Sequence, residues 1–90
     1  MRAVITVAGK DRVGIIASVT QALAQQNVNV LDITQTILPP DFFTMVMLVD
    51  CAQIDLPFAE LVALMEGQGK EHNLSIHIQR EDIFNAMHRI

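Results

Sequence analysis

The chain has 90 residues, of which 51% are hydrophobic, and its mean hydropathy is +0.36. This length allows one hydrophobic core and leaves no room for a second domain. The net charge of −4 and the sequence pI of about 5.1 argue against nucleic acid and anionic membranes as partners, since the six basic residues are scattered. The apolar content predicts that part of the surface meets another subunit.

The single cysteine, Cys51, excludes an internal disulfide and fits a reducing compartment. The chain shows no charged start followed by an apolar run, and no stretch approaches about 18 consecutive apolar residues. We therefore expect a cytoplasmic protein without a membrane-spanning segment.

The first part of the chain predicts a strand, a turn and a helix. A β-branched run predicts a buried strand over residues 2–7, and apolar residues at helical spacing predict a helix over residues 13–26 that stops at Asn27. The segment Gly9-Lys10-Asp11-Arg12-Val13-Gly14 forms the turn between them. Backbone N–H groups at the start of this helix could hold a carboxylate, although a tight turn without a ligand is an equally good interpretation.

The next two strands differ in their apolar patterns. Residues 28–37 alternate, with Asn29, Leu31, Ile33 and Ile37 on one side and Asp32, Thr34 and Thr36 on the other. The turn Pro39-Pro40-Asp41 ends this strand, because proline cannot continue a hydrogen-bonded ladder. Residues 42–49 are apolar on both faces, which predicts a central strand with material packed on each side.

The last part of the chain predicts a helix, a strand and a helical tail. Asp55 as a cap and Pro57 in the first turn indicate where the second helix begins, and the glycines at 67–69 indicate where it ends. Residues 74–79 alternate and predict a fourth strand. Residues 81–90 predict a third helix, whose apolar stripe comprises Ile83, Phe84, Met87 and Ile90.

The order βαββαβ predicts an α+β fold, a ferredoxin-like sandwich. In it an antiparallel four-stranded sheet with the order 4-1-3-2 carries two helices on one face, and a C-terminal helix follows. We expect one domain over residues 1–80 and a helical tail over residues 81–90.

Two segments resemble the ACT domain family. These are Lys10-Asp11-Arg12-Val13-Gly14-Ile15-Ile16-Ala17 after the first strand and Asn27-Val28-Asn29-Val30-Leu31-Asp32-Ile33 after the first helix. With the βαββαβ order, the resemblance covers almost the whole chain. It is strongest to small stand-alone bacterial and archaeal members, which are similar to the ACT modules of the glycine-cleavage-system transcriptional repressor. The resemblance implies a regulatory domain that binds amino acids or other small metabolites at subunit interfaces and is not an enzyme.

The resemblance also implies a ligand site. The family's ligand loop falls on Asp11, Arg12, Val13 and Gly14, with Ile15 opening the helix, and its strand-two asparagine falls on Asn29. Amino-acid-sensing members often carry proline where this chain has Val13, and a β-branched residue sets the loop less rigidly. An interaction adapter with a vestigial ligand site is therefore the alternative to a metabolite sensor.

The remaining titratable residues form no recognisable motif. His72, His77 and His88 lack a second ligand at zinc-motif spacing, and Cys51 has neither a paired cysteine nor an evident base. We interpret the histidines as solvated or hydrogen-bonded side chains and Cys51 as a buried structural thiol. We accordingly expect no catalytic residues, no metal and no cofactor.

A homodimer is the expected assembly. The predicted second strand lies at an edge, with no lysine, proline or obvious bulge to protect it before Pro39. The tail is expected to cover the open face of its own sheet or that of its partner, which would place the two Gly14 turns near the interface. The alternative is a monomer whose tail folds over its own sheet. Another regulatory or metabolic protein is a further possible partner.

Overall fold

The computed structural model describes residues 1–87, which form seven elements. In chain order they are β1 (Arg2–Lys10), α1 (Ile15–Gln25), β2 (Asn29–Leu38), β3 (Phe42–Asp50), α2 (Phe58–Glu71), β4 (Leu74–Arg80) and α3 (Glu81–Met87). His88, Ile90 and the Met87 side chain, which the sequence pattern assigned to the tail, lie outside the described residues.

The four strands form one sheet in the order β2-β3-β1-β4, and all neighbouring pairs are antiparallel. The predicted topology is confirmed, with β1 and β3 in the centre. The predicted end of β1 was too early, because Gly9 and Lys10 still pair with β3, opposite Phe43 and Phe42. The predicted start of α1 was also early, since the helix begins at Ile15.

The core lies between one face of the sheet and the two long helices. One side of the core consists of alternate residues of the central strands, and the other side consists of the apolar stripes of α1 and α2. Its fully buried large side chains are Ile5, Val7, Ile15, Leu23, Met45, Met47, Val49, Leu61 and Met65. The methionines of β3 and α2 therefore fill the core.

Helix α2 differs from its prediction at both ends. Its N-cap is Pro57, without a side-chain cap, and the Asp55 carboxylate instead accepts a 3.4 Å hydrogen bond from the Asn27 side chain. The helix continues through Gly67 and Gly69 to Glu71, and the turn into β4 is made by Asn73 at φ 56°. Gly69 is buried, because β4 passes directly over it.

Strand β2 contains an irregularity that the sequence pattern did not indicate. The pairing with β3 shifts between Val30 and Asp32, so that Leu31 is a bulge. Residues 32–38 then pair with β3 without interruption. Because the bulge inverts the alternation, Asn29 lies on the opposite face of the sheet from Ile33, contrary to the predicted common side.

Helix α3, the described part of the tail, lies on the open face of its own sheet, which is one of the two positions predicted for the tail. Helix α3 packs against β1 and β4, and Phe84 lines a cleft with Val4 and Thr6. The Arg2 guanidinium donates two hydrogen bonds, of 2.9 and 2.7 Å, to the Glu81 carboxylate. This bidentate pair joins the first residue of β1 to the first residue of the tail helix.

Candidate functional site

The candidate site is an open groove of about 540 Å³ at the end of the sheet where β1 passes into α1. The turn before α1 forms one wall, the first turn of α1 forms the roof, and β2 and β3 form the floor. Its lining consists of Asp11, Arg12, Gly14, Ile15, Ile16, Ala17, Gln35, Ile37 and Phe43. Most of that lining is apolar, and the charged groups lie at one end.

Gly14 determines how the turn enters the helix. Its φ of 93° is in the left-handed region, which residues other than glycine rarely adopt. Gly14 is also the N-cap of α1, and no side chain caps the helix there. The first N–H groups of an α-helix have no partner inside the helix. In α1 these groups are at the groove, together with the positive end of the helix dipole.

The turn is attached to the neighbouring turn between β2 and β3. The Asp11 backbone N–H donates a 2.7 Å hydrogen bond to the Asp41 carbonyl, and the Lys10 ammonium lies 4.0 Å from the Asp41 carboxylate. The Asp11 and Arg12 side chains are exposed. The groove thus offers a cationic group, an anionic group and helix N–H groups beside an apolar floor.

Four of the six predicted site residues line this groove, namely Asp11, Arg12, Gly14 and Ile15. Val13 belongs to the same turn, but it is 100% exposed and does not line the groove. Asn29 lies elsewhere: β2 runs parallel to β1, so the start of β2 is at the opposite end of the sheet. There Asn29 lines a second groove with Asn27 and Asp55. Within one chain the structure does not bring Asn29 to the Gly14 turn.

Three floor residues of the groove were not predicted, namely Gln35, Ile37 and Phe43. They are distant from the turn in sequence, and only the pairing of β2 with β3 brings them together. The alternation of β2 was the available signal, because it places Gln35 on the same face as Ile33 and Ile37.

A second polar cluster lies on the edge strand β4. The Ser75 hydroxyl is 3.0 Å from Nε2 of His77, and Nδ1 of His77 is 3.9 Å from the Glu66 carboxylate. The three side chains are linked by these polar contacts but are exposed to solvent. A solvent-exposed pair such as His77 and Glu66 contributes little to the free energy of folding. Within residues 1–87 no three histidine, cysteine or acidic side chains are grouped so that they could hold a metal ion.

The Cys51 thiol is expected to be unreactive in the folded protein. Burial raises its pKa, Asp50 adds to the rise, and the ammonium of Met1 opposes it. We expect a thiol reagent to modify Cys51 at least roughly 100-fold more slowly in the native protein than in denaturant, because reaction requires local opening. The variant Ala52→Cys adds an exposed thiol as the control. Equal rates for the two thiols would contradict the buried position.

The raised pKa of Cys51 also makes the free energy of unfolding depend on pH. The unfolded chain ionises this thiol near its ordinary pKa of about 8.5, whereas the folded chain keeps the proton to a higher pH, because its pKa is raised. The contribution of Cys51 to stability is therefore fully present below the unfolded pKa and is lost as the pH rises from there through the higher folded pKa.

Fold and groove together define the class of protein: a small α+β domain with βαββαβ topology and an open groove at its first strand–helix turn. The chain belongs to the ACT domain family, whose model matches residues 2–79. A UPF0237 protein of Listeria monocytogenes is 51% identical over 90 residues, which are 100% of both chains. No helix within residues 1–87 is long and apolar enough to span a membrane.

Solved structures show the same relationship. An ACT domain protein from Streptococcus pneumoniae has a TM-score of 0.82 and 40% identity, with 98% of each chain covered. A structure assigned as a glycine cleavage system transcriptional repressor has a TM-score of 0.71 and 25% identity, and the match covers 87% of this chain and 44% of that one. The predicted family and its similarity to the repressor's ACT modules are both confirmed.

Proposed function

We propose that this protein is a metabolite sensor: a non-catalytic, cytoplasmic homodimer that binds an amino-acid-like ligand in the groove at the Gly14 turn. The observation that carries the proposal is the meeting of unpaired helix N–H groups, opposite charges and an apolar floor in one groove. Membership of the ACT family supports a regulatory role. We also propose that residues 1–80 are the ACT domain and residues 81–90 a separate helical tail.

The chemistry of the groove suits both ends of an amino acid. The N–H groups of Ile15 and its neighbours, with the Arg12 guanidinium, would hold a carboxylate. The Asp11 carboxylate would pair with an ammonium group. A ligand side chain would rest against Ile37 and Phe43, which favours an apolar one.

Asn29 enters this proposal only through a second copy of the chain. It lies at the far end of β2 from its own Gly14 turn, so an amide that contacts the same ligand must come from the partner. The proposed role of Asn29 therefore rests on the proposed homodimer and is not independent support for it.

An interaction adapter with a vestigial ligand site is the second candidate. Val13 favours it, because a β-branched residue where amino-acid-sensing members often carry proline sets the ligand loop less rigidly. In that case another regulatory or metabolic protein would be the binding partner, and the groove would remain empty.

A thermal-shift screen of amino acids distinguishes the two candidates. A ligand at about 100 times its Kd should stabilise the protein by about 2.7 kcal/mol, which raises the Tm by roughly 10–20 °C for a chain of this size. Gly14→Val and Asn29→Ala should each abolish the shift. Gln21→Ala, an exposed change on α1 outside the groove, is the control and should keep it.

The two candidates give opposite results in this screen. The adapter would be supported over the sensor if no metabolite raised the Tm and the purified chain formed a stable complex with a defined regulatory protein. A shift that survives both Gly14→Val and Asn29→Ala would place the ligand elsewhere.

A further inference from the structure

A cleft of about 360 Å³ lies beside the tail helix α3 on the open face of the sheet, and we call it the tail cleft. A cavity of this volume can hold a small molecule. None of its described lining residues also lines the groove at the Gly14 turn. The described lining residues of the tail cleft are Val4, Thr6, Glu66, His77, Ile78, Gln79 and Phe84.

Two cross-strand pairs form the floor of the tail cleft. Val4 pairs with Gln79, and Thr6 pairs with His77, in the register of β1 with β4. The residues between them on both strands are buried in the core, so the alternation of the strands directs these four side chains to the open face. The floor thus combines an apolar side chain with a hydroxyl, an amide and an imidazole.

Helix α3 supplies an apolar wall of the tail cleft through Phe84. The helix is joined to the sheet by the bidentate contact of Arg2 with Glu81, whose two hydrogen bonds are 2.9 and 2.7 Å long. Arg2 precedes Val4 by two residues, so the contact holds the start of α3 next to the floor. The charges of Arg2 and Glu81 compensate each other in this pair.

Glu66 brings a negative charge to the tail cleft. It comes from α2, and its carboxylate lies 3.9 Å from Nδ1 of His77 at the edge strand β4. Among the residues of positions 1–87 that line the cleft, none is a lysine or an arginine. A positively charged ligand is therefore favoured over an anion. The preference is moderate, because the Glu66 side chain is 47% exposed.

We propose that the tail cleft is a second ligand site, which binds a small organic amine in its protonated form. The ammonium group would donate hydrogen bonds to the Glu66 carboxylate and to the Thr6 hydroxyl. The apolar part of the amine would rest against Val4 and Phe84. The site is separate from the groove at the Gly14 turn, so the proposal goes beyond the proposed function and does not depend on it.

Two other classes of ligand fit the tail cleft less well. A carboxylate or a phosphate would meet Glu66 with no described lysine or arginine of the lining to offset the repulsion. A purely apolar molecule would cover the polar side chains of the floor without forming hydrogen bonds with them, which costs free energy. An amine with one apolar group avoids both penalties.

Titration of the intact chain with benzylamine, followed by two-dimensional NMR, tests the site. The backbone amide signals of Thr6 and His77 should shift, and those of the Gly14 turn should not. Benzyl alcohol and benzoate carry the same ring without a positive charge. Each should bind at least about threefold more weakly than benzylamine, the effect expected of one solvent-exposed ion pair.

Two substitutions with matched controls test the residues of the site. Glu66→Gln should weaken benzylamine binding about threefold, whereas Glu60→Gln, an exposed change on the same helix outside the cleft, should not. Phe84→Ala should weaken it at least about fivefold, because the apolar wall is lost. Ile83→Ala should leave it unchanged, since Ile83 is 47% exposed and is not a lining residue.

Four results would overturn the proposal. The first two are the absence of amide shifts at about 20 mM benzylamine, which detects millimolar affinity, and shifts centred outside the tail cleft. The others are equal binding of benzylamine and benzoate, and equal effects of Glu66→Gln and Glu60→Gln. None of these results bears on the thermal-shift response of the groove at the Gly14 turn, so the two proposals fail separately.

Discussion

Gly69→Ala is expected to lower the free energy of unfolding by about 1–3 kcal/mol, because the added methyl group has no space. A Cβ atom at this position would lie 2.6 Å from the Leu74 carbonyl oxygen and 3.3 Å from the Ile76 backbone nitrogen. Both are backbone atoms of β4, so relief requires the helix and the strand to move apart. Urea denaturation of the purified variant measures the effect.

Gly67→Ala is the matched control for this prediction. It is the same substitution two residues earlier in α2, where a Cβ atom would meet nothing within 4 Å. Alanine is the better helix former, so this variant should gain about 0.5–1 kcal/mol of stability. Equal effects from the two substitutions would show that the close contact between α2 and β4 does not determine the role of Gly69.

Leu61→Ala is expected to have the largest effect on stability, a loss of about 2–5 kcal/mol. Leu61 is 0% exposed and lies on the face of α2 that packs on the sheet, so its truncation leaves a cavity in the core. In a domain of this size such a loss is a large fraction of the total stability. The midpoint of urea denaturation should fall strongly while the m-value stays unchanged.

Leu31→Ala supplies the comparison of the same residue type at the surface. Leu31 is the bulged residue of β2 and is 45% exposed, so its truncation should cost about 1 kcal/mol or less. A large loss from Leu31→Ala with a small one from Leu61→Ala would contradict the described core.

The sequence by itself determined the fold and its family. Each strand has period-two or continuous apolar patterning, and each helix has a stripe at helical spacing, so element order and type follow from local chemistry. The connection rules for two strand–helix–strand units then allow few topologies, and the predicted sheet order is the observed one. The predicted stop of the first helix before Asn27 also agrees with the structure, where Asn27 has a left-handed φ of 60° that asparagine tolerates.

Only the tertiary structure decided the details that matter for the site. A local pattern cannot show that β4 presses on Gly69, so the glycines of α2 resembled a helix end. The bulge at Leu31 depends on the pairing with β3, and it moved Asn29 to the other face. The separation of Asn29 from the Gly14 turn likewise follows from β2 running parallel to β1, because long-range strand pairing sets which ends meet. Residues of the groove floor such as Gln35 and Phe43 became neighbours for the same physical reason.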